Sequence, residues 1–135
     1  MIKFGYAISY VADVDAALSF FEDAFGMQRR FITDEKDYGE LDTGATVLAF
    51  ASHALGQSNL PDGYIRASDS DQPLGMEIAL VSDQVHELHQ SAIKNGAIEL
   101  KAPETKPWGQ TVSYVRCPSG ILLELCTPML KAVSD

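Results

Sequence analysis

Glu124 is a single carboxylate inside the apolar run Ile121–Leu125, directly after the turn residues Pro118, Ser119 and Gly120. A charged group in an apolar strand loses its hydration and must find a cation, a hydrogen-bond donor or a wet cavity. An acid held in that way can move a proton, bind a cation or offer oxygen to a metal. Cys126, two residues on, shares the strand face of Glu124 and, with no base evident beside it, reads as a packed thiol. His86 and His89 are three apart on a helical stretch, a spacing able to hold a metal. A helix that packs one face on a sheet and turns the other to water makes a solvated pair the expectation. Cys117 and Cys126 are the only cysteines and are read as free thiols, because a disulfide framework needs more. No Gly-rich phosphate loop, P-loop or GxSxG elbow occurs, so no nucleotide, and no cofactor of any kind, is expected.

Composition narrows the partners. The chain carries 19 acidic and 10 basic residues, for a net charge of −9. Nucleic acid needs a basic face, and no Lys/Arg cluster is present. Acidity serves solubility and also favours a cationic ligand. No apolar run approaches the roughly 20 residues of a membrane span. The opening MIKFGYAISYV is broken by Gly, Ser and Tyr and is followed by no small-residue cleavage site, so it reads as a first strand. Together with the free thiols this predicts a cytoplasmic protein.

The elements that must position Glu124 come in two copies. YVADVDAALSFFEDAFGMQ (10–28) and LVSDQVHELHQSAIKNGAI (80–98) align without a gap, with Val11 on Val81, Asp13 on Asp83, Leu18 on Leu88 and Gly26 on Gly96. In each copy a strand ends at an Asp suited to cap a helix, and the helix ends at a Gly suited to the left-handed position beyond it. The spacing predicts helices over Val14–Phe25 and Gln84–Asn95, the first with Ala17, Leu18, Phe21 and Phe25 on one face. Three strand-like runs follow each helix, near 27–33, 37–42 and 46–52, then near 97–102, 110–116 and 121–126. The pattern is β-α-β-β-β twice within one α+β domain: module one about 1–52, a polar linker or flap about 53–73, module two about 74–128.

This duplication, with "YVADVDAALSFFEDAFGM" opening one half and "KPWGQTVSYVRCPSGILLEL" closing the other, resembles the vicinal oxygen chelate superfamily of glyoxalases, bleomycin-resistance proteins and extradiol dioxygenases. The resemblance runs from Ile2 to Pro128 and is most specific in the closing turn, Gly and Glu. It implies two half-barrel sheets around a cavity, with Glu124 pointing into it, and it implies a homodimer, since half-barrels pair between chains as well as within one. Metal-dependent members hold an ion with one residue from the first and one from the last strand of each module. Carried onto this chain, those positions are Tyr6, Ala49, Met76 or Glu77, and Glu124. The repeat offset favours Met76; spacing to the Asn95–Gly96 pair favours Glu77.

Carboxylates and a phenol are a poor set for zinc, nickel or iron, so no bound metal is expected. If Glu77 faces inward, it pairs with Glu124 for acid–base work; if it faces outward, it is a solvated or salt-bridged side chain. Tyr6 is an inward donor or fills the place of a missing His. Trp108, in the turn KPWGQ, either stacks on a ligand or packs over the barrel edge. Phe50, beside Ala49, is a candidate cavity wall or a core residue. His53, four residues beyond Ala49, is a group at the pocket mouth or an exposed residue at a loop start. The expected function is metal-independent binding of a small organic molecule, with sequestration or resistance as its use. The alternative is an enzyme of the same superfamily, either a metal-dependent lyase or dioxygenase or a metal-free catalyst using Glu77 and Glu124.

Overall fold

The computed structural model describes residues 1–129. Strand β1 (Tyr6–Val11) leads into helix α1 (Val14–Phe25), followed by β2 (Arg29–Ile32), β3 (Tyr38–Leu41) and β4 (Val47–Ser52). Helix α2 (His53–Asn59) and a 3-10 turn at Ala67–Asp69 belong to the connection between the modules. Module two repeats the plan with β5 (Glu77–Val81), α3 (Val85–Lys94), β6 (Ile98–Thr105), β7 (Thr111–Arg116) and β8 (Leu122–Cys126). The two four-stranded sheets have the same order, β1-β4-β3-β2 and β5-β8-β7-β6, with the first and last strands of each module parallel and the other pairs antiparallel. This is the α+β, twofold βαβββ architecture that the repeat predicts.

Helix α1 forms where its sequence says it should. Asp13 Oδ1 accepts the Ala16 N–H at 2.9 Å, and Gly26 closes the helix at φ 69°, a left-handed conformation that costs glycine little. Leu18 and Phe21 are fully buried on its sheet-facing side, where the Phe21 ring lies 5.4 Å from that of Phe50. Gly39 on β3 leaves room for Leu18, whose Cδ1 lies 2.6 Å from where a Cβ would sit. The second helix starts differently. Asp83 does not cap it; Gln84 occupies that position without a side-chain bond, and the Gln84 N–H is taken by Ser82 Oγ at 3.1 Å. Helices α1 and α3 pack against each other, and one apolar core runs through both modules, from Val14 and Phe21 to Ala92, Val115 and Leu123.

Strand register divides each sheet into an outer face, covered by α1 or α3, and an inner face. Residues paired across a ladder point to the same side. Tyr6, Ile8 and Tyr10 therefore share the inner face of the first sheet with Val47, Ala49 and Ala51, and with Tyr38 and Glu40. On the second sheet the inner face carries Glu77, Ala79 and Val81, then Leu122, Glu124 and Cys126, then Tyr114 and Arg116.

The connection expected as a polar linker has structure of its own. Strand β4 stops at Ser52, whose Oγ caps α2 by accepting the Leu55 N–H at 3.2 Å. Further on, the strap around Ala67–Asp71 lies against the β7–β8 turn of module two. Arg116 grips it there: its Nη2 donates to the carbonyls of Ala67 at 2.7 Å and Ser70 at 2.9 Å, and its Nη1 to that of Asp71 at 3.3 Å.

Candidate functional site

Register resolves the choice between Met76 and Glu77. Ala79 pairs with Glu124 and Glu77 with Leu122, so Glu77 and Glu124 share the inner face, whereas Met76 precedes the strand. A hydrogen bond between the two carboxyl groups requires that one of them carry a proton. That shared bond, then burial and the charge of Glu124, push Glu77 up to about 7. Glu77 therefore titrates close to neutral pH. Tyr114 on the neighbouring strand donates its hydroxyl to Glu124 Oε1 at 3.3 Å. Burial, followed by Glu124 and Glu77, holds that phenol above its ordinary value. Cys126 completes the group, and burial, then Glu124, pushes its thiol up to about 11. It stays protonated and is no nucleophile, in agreement with its reading as a packed thiol.

The first sheet carries a counterpart that sequence reasoning missed. Ala49 offers no ligand atom, but directly across the ladder from it stands Glu40, buried, on β3. Its Oε2 accepts the Tyr38 hydroxyl at 2.7 Å, and the Arg30 guanidinium approaches Oε1 at 3.7 Å. Burial, then Glu40 and finally Tyr6, keeps the Tyr38 phenol well above its usual range. Tyr6 shares this inner face. Each inner face holds one Tyr–Glu bond, but the acid sits on the last strand in module two and on the third in module one. The signal was present in YGEL, where Tyr38 and Glu40 alternate onto one face. Glu40 lies on the third strand of its module, whereas the family resemblance implies site residues only on first and last strands.

Three expected site residues lie elsewhere. Phe50 is fully buried on the outer face against Phe21, so it is core and not a cavity wall. His53 is neither exposed nor on a continuing strand. The chain turns into α2 there, the imidazole is buried, and its Nδ1 lies 2.8 Å from the Tyr64 hydroxyl while its ring stacks on that of Tyr64. Burial, then Arg66, holds its pKa below the ordinary value, so it is neutral at neutral pH. Trp108 is exposed in the β6–β7 turn, and its indole N–H donates locally to Gln110 at 3.0 Å.

The solvated His86–His89 pair is also corrected. His86 is exposed, but His89 is buried between α3 and the sheet, with Nδ1 2.9 Å from Ser113 Oγ and Nε2 2.7 Å from Glu99 Oε2. Hydroxyl, imidazole and carboxylate stand in the order of a hydrolytic triad. Ser113, however, is completely buried on the outer face, where no substrate reaches it. The row is a polar bridge through the core.

The donor set does not suit a family-type metal. Tyr6, Ala49, Glu77 and Glu124 supply two carboxylates and no imidazole, and no group of three or more His, Cys, Asp or Glu side chains able to hold an ion occurs among the described residues.

The family model described as Glyoxalase/Bleomycin resistance protein/Dioxygenase superfamily matches residues 3–125, and the chain belongs to this vicinal oxygen chelate superfamily. Among solved structures, it is similar to a glyoxalase-related enzyme from Fulvimarina pelagi, with TM-score 0.79 and 18% identity over 95% of this chain and 89% of that one. A glyoxalase/bleomycin resistance protein/dioxygenase family enzyme from Burkholderia phytofirmans PsJN superposes with TM-score 0.75 and 20% identity, covering 93% of this chain and 98% of the other. TioX from Micromonospora sp. ML1 does so with TM-score 0.67 and 19% identity, at 93% and 98% coverage. No curated protein matches the chain. Among the described residues, no helix is long and apolar enough to cross a membrane.

Proposed function

We propose that this protein binds a small organic cation without a metal, through the Glu77–Glu124 pair and the Tyr114 hydroxyl, and that it works in the cytoplasm by sequestering that molecule. The carboxylate pair carries the reading. It is an acceptor-rich site, and no Lys or Arg side chain makes an ion pair with either acid among the described residues. An ammonium or amidinium group takes the place of the shared proton, so binding releases that proton. Affinity then rises with pH through about 7, where Glu77 titrates.

The test is calorimetric titration with a panel of organic amines and amidines at pH 6 and 8, on the wild type and Glu124→Gln. The expected result is tighter binding at pH 8, proton release, and a roughly tenfold or greater loss in the variant. The variant's stability should be unchanged or raised, since one like charge is gone. A stability loss of about 3–5 kcal/mol with unchanged affinity would identify Glu124 as half of a buried structural pair and overturn the reading.

One observation favours a second reading. A neutral and an ionised carboxylate side by side, with one group titrating near 7, is the arrangement of an acid–base catalyst. Glu124 would take a proton from the substrate as Glu77 returns one, leaving the pair's proton count unchanged after each turnover. Substrate-proton exchange into deuterated water, lost in both Glu77→Gln and Glu124→Gln, distinguishes this reading from binding alone.

A further inference from the structure

We propose a second, separate binding site between the modules, one that takes a neutral one- or two-ring aromatic molecule. Strand β1 and the start of module two are not joined by any ladder, and between them lies a cavity of about 260 Å³. Its walls include Ile8 and Tyr10 on β1, Leu122 on β8, and Tyr64, Ile65 and Leu74 from the connecting strap. None of Glu77, Glu124, Tyr114, Tyr38 or Glu40 lines it, so it does not depend on the carboxylate reading.

The chemistry of the walls selects the ligand. No charged side chain lines the cavity, and its polar side chains are the hydroxyls of Ser9, Tyr10 and Tyr64. A charged ligand would have no partner there, and water would find few hydrogen bonds. Tyr10 and Tyr64 present two rings with centroids 5.0 Å apart, tilted by 34°, a surface that suits a flat ring. The Tyr64 hydroxyl is engaged by His53 at 2.8 Å. The Tyr10 oxygen accepts from Asn59 at 3.3 Å, which leaves its own proton for an acceptor atom on the ligand. The volume lies just under the roughly 300–1,000 Å³ of sites that hold drug-sized molecules, hence one or two rings.

The cavity is held in shape before anything enters it. Arg116 fixes the strap through backbone carbonyls at 2.7–3.3 Å. Two glycines let it lie close: a Cβ on Gly120 would fall 2.5 Å from the Ala67 backbone, and one on Gly56 would strike the Tyr64 hydroxyl at 2.4 Å. Such preorganisation lowers the entropic cost of binding. At the rim, Ile65 is 71% exposed and Ile8 49%, an apolar surface that a ligand would cover.

Quinoline, neutral at pH 7.5 and carrying one acceptor nitrogen, is the probe, and side-chain methyl resonances are the readout. Saturable shifts are expected at Ile8, Ile65 and Ile121, but not at Ala79 or Val81 beside the carboxylate pair. Leu74→Trp, which fills the cavity, should weaken binding at least about tenfold, and Ile65→Trp, at an exposed position that folding tolerates, should do the same. The proposal is overturned if no saturable shift is seen, if the shifts fall on Ala79 and Val81, or if neither filling variant changes the affinity.

Discussion

At the scale of single residues, the pairing of Glu77 with Glu124 makes a signed prediction. In the unfolded chain Glu77 titrates near 4.5, whereas in the folded chain it titrates at about 7. Between those values the native state holds a proton that the unfolded state has released. Folding stability should therefore decline as pH climbs through that window and level off above it. Urea unfolding at pH 5, 6 and 7.5 measures the decline; Glu77→Gln should flatten it and leave that variant more stable than wild type at pH 7.5. His89 supports a second prediction. His89→Leu strands the fully buried Ser113 hydroxyl and should cost about 2–3 kcal/mol. Adding Ser113→Ala should recover part of that loss, because an apolar pair leaves nothing unsatisfied. Equal losses in the single and double variants would show that Ser113 has another partner.

At the scale of elements, what was legible depended on how local the cause was. Helix α1 matches its predicted span, because Asp13, Gly26 and the apolar spacing between them all act within the helix itself. Helix α2 was not legible. HALGQSN is short, polar and contains a glycine, and it is held by Tyr10 and Tyr64 packing on Gly56, contacts from distant parts of the chain. The same gap explains His53, expected at the pocket mouth or exposed at a loop start, because the buried place it takes is set by α2 and Tyr64. The inward turn of Glu77 hung on a one-residue register that only the pairing with β8 decides. Glu40 escaped because its role comes from the strand opposite it. The strap allows a direct test of this long-range ordering. Gly120 has φ 96° and touches the Ala67 backbone, so Gly120→Ala should cost about 2 kcal/mol or more. Amide exchange at residues 67–71 should accelerate in both this variant and Arg116→Met, with the rest of the second sheet still protected.

At the scale of the whole molecule, the two inner faces carry matched chemistry that a single chain does not connect. No hydrogen bond or ion pair among the described residues links the Tyr38–Glu40 cluster to Glu77, Glu124 or Tyr114. Apolar side chains are left in water on both sheets, with Tyr6 57% and Val81 62% exposed. The open edge of β5 adds unpaired backbone beside a groove of about 740 Å³. A second copy, related by a twofold axis, would cover such surfaces on both chains at once. We therefore expect a homodimer in solution. Light scattering at micromolar concentration should give twice the chain mass, and Val81→Glu should shift the particle to a monomer without unfolding it. A wild-type monomer under those conditions would rule this assembly out.

The grip of Arg116 on the strap has a consequence for how this protein can vary among its descendants. Four of its five strap and turn contacts, at residues 67, 70, 71 and 120, go to carbonyl oxygens, which every amino acid supplies. The attachment therefore places no demand on side chains at 67 and 71. Ile65 and Leu74 can drift to other sizes and polarities while the strap stays where it is. A lineage can in this way alter what the space beneath the strap admits, one substitution at a time, without re-evolving the means of holding it closed.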